Sequence, residues 1–385
     1  MFGQTVAIIR NTFFESIRQP IMLVVLVIAT IALVFSNLLA GFTMEDDQRM
    51  MVDLGLSTVF ICGALLAAFI STNVLNLEIE NRTVLTVISK PVSRPIFVLG
   101  KYLGVAGALM LATTYMSFVF LLVELHGVLQ TVRDPIHKPV IVFGSAALVA
   151  GVGAAGWCNY FYGRVFASTV LAIATPLVAL AYFMSLLFDP GFLLRPGSEA
   201  FSVAFKGQLW LALTAIIMAV LVLTSIAIAA STRLGQVMTL CGTLGVFLLG
   251  MLSDWIFGRK IERIESVWLQ RASAKGLTET IQETRVIEMV TGEIPPPTIV
   301  DIEIPTAGVA LTQMANGLGE RFEHAAYWVA YAIVPNFQVF WLSDAVNQDH
   351  VIPPGYIMLT LVYGPVQILV ALGVATILFQ RREVG

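Results

Sequence analysis

Residues 20–41 read PIMLVVLVIATIALVFSNLLAG, a stretch in which no side chain carries a charge. As an α-helix it would be about 33 Å long, enough to cross the roughly 30 Å hydrocarbon core of a bilayer. Comparable runs recur toward the C-terminus, so the sequence predicts an all-α polytopic membrane protein. The eight predicted spans are residues 20–41, 54–77, 96–123, 139–158, 167–188, 207–231, 235–257 and 355–379.

The composition indicates the same class. Of the 385 residues, 57% are hydrophobic and 12% charged, and the mean hydropathy is +0.85, whereas soluble domains carry roughly 25% charged residues. An ordinary soluble protein is therefore excluded. The net charge of −3, without a basic tail, argues against nucleic acid as a partner. Because Cys62, Cys158 and Cys241 occur singly, neither a disulfide framework nor a thiolate metal site is predicted.

The distribution of Lys and Arg predicts the orientation. An even number of spans places both termini on one side, and basic residues in short loops mark the cytoplasmic side. The inner segments would hold ten basic residues, Arg10, Arg18, Arg82, Lys90, Arg94, Lys101, Arg164, Arg233, Arg381 and Arg382, against four acidic ones, Glu15, Glu78, Glu80 and Glu383. The short outer loops reverse this, with five basic and eight acidic residues. We therefore expect a multi-pass protein of the cell inner membrane with both termini cytoplasmic.

The first 19 residues are predicted to form an amphipathic helix on the inner membrane surface. An apolar face at helical spacing comprises Phe2, Val6, Ile9, Phe13 and Ile17. The opposite face comprises Gln4, Asn11, Glu15 and Arg18. A frayed leader is the alternative.

Residues 258–354 are predicted to form a small extracytoplasmic domain. Its first part, Arg259 to Glu288, has the pattern of a surface helix, which the prolines at 295–297 would end. Residues Thr298 to Ile304 alternate as a strand does. The aromatic run from Ala325 to Leu342 is long enough for a ninth span, but Pro335 and the aromatic content favour an interfacial or re-entrant segment.

Motifs of catalysis and nucleotide binding are absent from the sequence. It contains no GxxxxGK[ST], HExxH or GxSxG, and its four histidines are scattered over predicted outer loops. We therefore expect neither an enzyme nor a cofactor or metal site. Lys101, Glu124 and Asp254 fall near predicted span ends, where long side chains can snorkel. With no ionisable residue deep in a span, proton coupling is disfavoured, although sodium can be bound by carbonyls and hydroxyls.

The most informative segment is the loop after the second span, residues 78–95. Glu78 and Arg82 stand in favourable i,i+4 order, and an apolar stripe beside them predicts a short amphipathic helix over 79–90. The helix should end before Pro91, and Pro95 is suited to start the next one. From the residues alone, the segment fits a charged juxtamembrane loop and a docking element equally well.

The sequence resembles the permeases of ABC-2 type exporters, closest to the branch of copper-enzyme maturation and gliding motility. The residues that carry the resemblance are Glu78-Ile79-Glu80, Thr83-Val84-Leu85, Ser89 to Arg94, Gly100-Lys101, the segment Val334 to Phe340 that resembles an outer "PN…F" motif, and the basic end Leu378 to Glu383. The N-terminal helix is similar to the family's elbow helix. Two features depart from the pattern: Arg82 stands where the family has Gly, and the family has six spans. The extra pair would be 139–188, because Ser231 to Gly235 resembles the family's inner turn between spans four and five.

This resemblance implies a permease that pairs with a second permease copy and with separate cytoplasmic ATPase subunits. The implied ATPase-docking residues are Glu78, Glu80, Arg82, Thr83, Leu85, Lys90, Pro91 and Arg94. The implied organisation is an elbow helix (1–19), spans one and two (20–77), a coupling helix (78–95), spans three to seven (96–257), an outer domain (258–354), and a last span with a cytoplasmic tail (355–385).

Small residues allow close helix approach at Gly100, at Gly104 and in the run 151–156, either within the bundle or at the seam between two permeases. We expect packing within the bundle. The alternative functions are a membrane scaffold whose outer domain binds a partner, and an ion-coupled carrier. The sequence does not identify the substrate.

Overall fold

The computed structural model describes residues 2–41, 47–80, 93–128, 135–196, 205–285, 298–305, 310–348 and 351–380. The chain forms two compact units. The first comprises residues 1–247 and 339–385, and the second comprises residues 248–338. Each is described by itself.

The first unit is a bundle of helices. They are α1 (Phe2–Ile17), α2 (Pro20–Ala40), α3 (Asp47–Glu80), α4 (Arg94–His126), α5 (Lys138–Tyr162), α6 (Phe166–Leu186), α7 (Gly207–Ser231), α8 (Gln236–Met251, whose last residues belong to the second unit), α11 (Ser343–Asn347) and α12 (Pro354–Gln380). Among the described residues, seven helices are long and apolar enough to cross a membrane: α2 to α7 and α12. These confirm seven predicted spans and the class of multi-pass, all-α membrane protein.

The seventh predicted span, 235–257, is not one continuous helix. Helix α8 ends at Met251 after 16 residues, about 24 Å, and a break separates it from a π-helical turn at Asp254–Gly258. At the break the Ser253 hydroxyl donates to the Gly250 carbonyl. A Cβ on Gly258 would lie 2.5 Å from an Asp254 carboxylate oxygen, so this glycine allows the tight turn. Within the described ranges, an eighth span is present only if the broken helix counts as one.

The core of the first unit lies between α3, α4 and α7, which are its most buried long helices. Close contacts at two glycines of α3 bring these helices together: Gly55 faces the Phe120 ring of α4, and Gly63 faces Val220 of α7. By contrast, α5 and α12 leave most of their apolar surface exposed. Exposed apolar helices are typical of a surface that faces lipid.

Helix α1 packs on α4 through glycines. A Cβ on Gly104 would lie 2.5 Å from Thr12 Cβ, and one on Gly100 would lie 2.8 Å from Ile8 Cγ2. Gly151 of α5 approaches Ala174 of α6 in the same way. The predicted packing within the bundle is thus confirmed for these three glycines, whereas Gly153 and Gly156 face open space.

The face of α1 that packs on α4 overlaps the predicted apolar stripe, because Ile17 is buried and Phe13 lies near Gly107. It also includes the buried Thr12 and Ser16, while Val6 of the stripe is exposed. Small side chains suit the close approach to the glycines of α4, which larger apolar side chains would prevent. Helix formation over residues 2–17 agrees with the sequence, and the position of this helix on the inner membrane surface stays a prediction.

The second unit comprises α9 (Arg259–Ala274), β1 (Thr278–Arg285), β2 (Thr298–Pro305), a 3₁₀ turn (Leu311–Met314) and α10 (Leu318–Ile333). The two strands pair antiparallel, with Thr278 opposite Pro305 and Arg285 opposite Thr298. Its core contains Trp268 and Ala272 of α9 packed with Met314.

In the second unit one prediction is corrected, one is confirmed, and the alternative of a ninth span is excluded. The helix expected over 259–288 ends at Ala274, because Gly276 adopts a left-handed conformation (φ 65°) and the Thr-rich segment after it pairs as β1. The strand expected at 298–304 is present. The aromatic segment 325–342 is no ninth span, because α10 ends at Ile333 before Pro335 and has only 16 residues.

Candidate functional site

The predicted docking residues lie around the connection between α3 and α4. Glu78 and Glu80 belong to the last turns of α3, and Arg94 is the first residue of α4. Arg82, Thr83, Leu85, Lys90 and Pro91, and with them most of the predicted coupling helix 79–90, lie outside the described residues. We call the end of the bundle that contains Arg94 the Arg94 end.

At the Arg94 end, two arginines bind the C-terminal turn of α12. The Arg94 guanidinium donates to the Phe379 carbonyl at 3.3 Å, and Nε of Arg233 donates to the Leu378 carbonyl at 3.0 Å. The last carbonyls of a helix have no partner within the helix and attract cations. The Phe97 and Phe379 rings also stack, with centroids 5.8 Å apart. The start of α4, the turn between α7 and α8, and the end of α12 are thereby joined.

Lys101 links α4 to α1 at this same end. Its side chain is buried, with 2% of the residue exposed, and Nζ lies 3.7 Å from Oε2 of Glu15. Nζ also lies 5.9 Å from the centroid of the Phe97 ring. The prediction that Lys101 snorkels to the membrane surface is therefore wrong. A buried cation needs an anionic partner, and α1 supplies one.

A polar contact ties α3 to its neighbours near this end. Nε2 of Gln236 donates to Oδ1 of Asn73 at 2.6 Å, and Nδ2 of Asn73 donates to Gln19 Oε1 at 3.3 Å. The side chain of one α3 residue thus joins the turn before α2 to the start of α8. These bonds fix the position of α3 at Asn73, shortly before the chain enters the predicted docking segment.

The opposite end of the bundle, where α3 begins and α4 ends, we call the His126 end. Glu124 of α4 is buried, with 6% exposed, and its Oε1 accepts from Lys206 Nζ at 2.6 Å and from Gln48 Nε2 at 3.3 Å. The snorkelling predicted for Glu124 is wrong for the same reason as for Lys101. Its partners come from the start of α3 and the residue before α7.

A polar pocket of about 250 Å³ opens beside Glu124. It is lined by Gln48, Glu124, Leu125, Gly127, His137, Arg195 and Lys206. Nε of Arg195 donates to Oδ1 of Asp189 at 2.7 Å. His137, just before α5, is 4% exposed, and burial followed by the positive charge of Arg195 lowers its pKa to about 4. The imidazole is therefore neutral at pH 7.

Three nitrogen atoms in this pocket have no hydrogen-bond partner within the described chain. They are both ring nitrogens of His137 and Nη1 of Arg195. Buried polar groups are nearly always paired, so orphaned donors in a pocket indicate a ligand or water that accepts from them. The pocket can therefore bind a group rich in acceptor oxygens.

The sequence does not reveal this pocket. His126 and His137 are scattered over predicted outer loops with the other histidines, and Arg195 and Lys206 count only among the charges of those loops. Glu124, an acid next to an apolar run, was the available signal. Its partners lie in other connections, which only the packing of the helices brings together.

The "PN…F" segment lies in and next to the second unit. Nδ2 of Asn336 donates to the Tyr331 hydroxyl at 2.9 Å, and the Tyr331 hydroxyl donates to Oδ1 of Asp254 at 3.4 Å. Phe337 is buried against Gly250, where a Cβ would lie 2.3 Å from its ring. The motif thus anchors the end of this unit to its beginning. Arg381, Arg382 and Glu383 of the basic end lie outside the described residues.

In the described part of the chain, no three His, Cys, Asp or Glu side chains are grouped so as to hold a metal ion. Comparison of the chain with protein-family models, with curated proteins and with solved structures gives no match. The family resemblance therefore rests on the residues quoted above.

Proposed function

We propose that this chain is the transmembrane permease subunit of an ABC exporter, driven by separate cytoplasmic ATPase subunits that dock at the Arg94 end. The observation that carries the proposal is the geometry of α3 and α4. Helix α3 has 34 residues and α4 has 33, about 50 Å each. Both exceed the hydrocarbon core by about 20 Å. Both also meet the predicted docking segment at one end and the polar pocket at the other.

Such helices can transmit motion from one side of a membrane to the other. A push on residues 79–93 would move the end of α3 and the start of α4. Because Arg94 and Lys101 tie α4 to α12 and α1, those helices would move with it. The displacement would reach the His126 end, where Gln48 and Glu124 connect the far ends of α3 and α4.

The proposal includes an orientation and partners. Both termini and the Arg94 end would be cytoplasmic, with α1 as the elbow helix on the inner membrane surface and residues 258–354 as the extracytoplasmic domain. Lys and Arg enrichment in the corresponding loops supports this orientation. Cytoplasmic termini require α8 with the turn after it to complete the eighth crossing. A second permease copy would complete the transporter.

The test is co-purification of the full chain with candidate cytoplasmic ABC ATPase subunits of the same cell. We expect Glu80→Lys and Lys90→Glu to abolish co-purification, because each reverses a charge in the proposed docking segment. Arg164→Glu is the matched control, since it reverses a charge in the turn between α5 and α6, another loop on the proposed cytoplasmic side. Retention of the ATPase by both docking variants would contradict the proposal.

A scaffold that binds a partner through the second unit is a second candidate. The observation that favours it is an apolar stripe on α10 that is exposed, formed by Leu318, Phe322, Val329 and Ile333. ATP-dependent efflux from vesicles that contain the chain and its ATPase would favour the exporter. The scaffold would be favoured if the chain bound the ATPase without efflux of any substrate class tested and its second unit captured a partner.

A further inference from the structure

An apolar groove of about 400 Å³ lies at the His126 end of the first unit. It runs between α2, α4, α5 and α6, and its walls include Val34, Leu38, Leu122, Ile141, Gly144 and Val178. Ser145, which also lines it, donates to its own helix at Ile141. The volume falls in the range of small-molecule sites. Along most of its length the groove offers only van der Waals contact.

The groove becomes polar at one end only. There Nδ2 of Asn37 donates to the Gly127 carbonyl at 2.7 Å, and Nδ1 of His126 lies 3.0 Å from the same oxygen. Gly127 also lines the polar pocket beside Glu124. His137 of that pocket accepts, through its carbonyl, the amide of Ile141, which lines the groove. The groove and the polar pocket therefore adjoin where α4 ends and α5 begins.

The charges of the polar pocket leave donors unused. Glu124 is bound by Lys206 and Asp189 by Arg195, so the two carboxylates are compensated. One guanidinium nitrogen of Arg195 and the single ring N–H of the neutral His137 stay buried without an acceptor among the described residues. An acceptor-rich anion such as a phosphate would satisfy them, because charge-assisted hydrogen bonds to guanidinium are the strong ones.

We propose that the groove and the polar pocket together form a binding site for an anionic phospholipid. One acyl chain would lie in the groove, and a phosphate oxygen would accept from Arg195 Nη1 and from a ring nitrogen of His137. Neither part would suffice alone, because the walls of the groove are mostly apolar and a free anion in the pocket would gain no contact with the groove. The site does not depend on an ATPase, so it can be tested apart from the exporter proposal.

The experiment measures binding to the purified full chain in detergent by native mass spectrometry. The probes are phosphatidylglycerol, diacylglycerol with the same chains, and inorganic phosphate. We expect phosphatidylglycerol to bind at least about tenfold more tightly than either of the others. If diacylglycerol bound as tightly as phosphatidylglycerol, the phosphate would not contribute to binding. If inorganic phosphate bound as tightly, the groove would not contribute. Either result overturns the proposal.

Two variants with matched controls locate the site. Arg195→Gln should weaken phosphatidylglycerol binding about tenfold, the effect of losing one hydrogen bond to a charged group, whereas Arg164→Gln in the α5–α6 turn should not. Gly144→Leu should fill the groove, since a Cβ there meets only Leu122 Cδ1 at 3.8 Å. Gly153→Leu, on the same helix but facing open space, is its control. Unchanged binding in Arg195→Gln overturns the proposal even if Gly144→Leu does not fold.

Discussion

The two ends of the helix bundle use charged side chains in different ways. At the Arg94 end, Arg94 binds the Phe379 carbonyl, Arg233 binds the Leu378 carbonyl, and the buried Lys101 lies against Glu15. The polar groups there join one helix to another. At the His126 end, Glu124 is bound by Lys206 and Gln48, but nitrogen atoms of His137 and Arg195 have no hydrogen-bond partner in the described part of the chain.

In the two proposals above, the Arg94 end transmits motion and the His126 end binds a ligand. Contacts that join helices let one part of the bundle move with another, which an end that receives force requires. Orphaned donors beside an apolar groove raise the free energy of the empty protein and lower that of the occupied one. The same helix, α4, carries both Lys101 and Glu124 and so connects the two ends.

The largest effect is expected from Lys206→Met at the His126 end. The variant leaves the buried Glu124 carboxylate without its cation, which should lower the free energy of unfolding by about 3 kcal/mol. Glu124→Gln should cost less, because the half-exposed Lys206 ammonium can return to water. The double variant should recover part of the loss. Unfolding in SDS measures all three, and equal losses in the two single variants would contradict this assignment.

The next largest loss of stability is expected from Gly104→Leu, which tests whether α1 and α4 form one rigid pair at the Arg94 end. Gly104→Leu would place a side chain where Thr12 Cβ and the Ile9 carbonyl already lie within 3 Å of the added Cβ, so the helices must separate. We expect a loss of about 2 kcal/mol, typical of overpacking. The same SDS titration applies, with Gly153→Leu as the neutral control. A Gly104→Leu protein as stable as the control would show that α1 is held elsewhere.

The sequence correctly predicts which segments form apolar helices long enough to span a membrane, but it predicts poorly where these helices begin and end. Hydropathy marks the lipid-facing part of a helix, whereas α3 starts at Asp47 rather than 54 and extends to Glu80, because a helix supported by its neighbours continues beyond the hydrocarbon. The break of α8 at Met251 was missed for a related reason. An apolar run reports burial or lipid contact, but not whether the backbone within it stays helical.

The pairing of charges was beyond sequence reasoning. Lys101 and Glu124 were expected to snorkel because their partners, Glu15 and Lys206, lie far along the chain in other helices or connections. His137 was dismissed with three other histidines, since only the fold shows its burial and its proximity to Arg195. The Arg94 docking residues came from the loop pattern and the family resemblance, and their role stays a prediction.

A smaller effect is expected from Arg233→Gln at the Arg94 end. The variant removes one charge-assisted bond to the Leu378 carbonyl, while Arg94 still binds the same turn of α12. We expect a loss of about 1 kcal/mol. Hydrogen exchange at the end of α12 should increase in this variant, with Arg164→Gln as control. Unchanged exchange would mean that the Arg94 end does not depend on this contact.

The smallest loss of stability is expected at the Arg271–Glu320 ion pair of the second unit, which is not buried. In the second unit Glu320 accepts from Arg271, Asn316 and Trp268, and these bonds, led by that from Arg271, lower the pKa of the carboxyl from 4.5 to about 2. A carboxyl with a lowered folded-state pKa contributes stability above pH 4.5, and this contribution is lost as the pH falls toward 2. Because both partners are about one-third exposed, water and salt screen the pair.

Hydrogen exchange in α9 of the full chain measures this pH dependence. Protection of α9 should fall between pH 4.5 and 2 in the wild type, and less so in Glu320→Gln, which cannot be titrated at this position. Glu323→Gln, an exposed neighbour on α10, should keep the wild-type slope. If protonating Glu320 lowered the stability more than Lys206→Met does, the expected order of the two effects would be reversed. Burial would then not explain why an unpaired charge at the His126 end is costly.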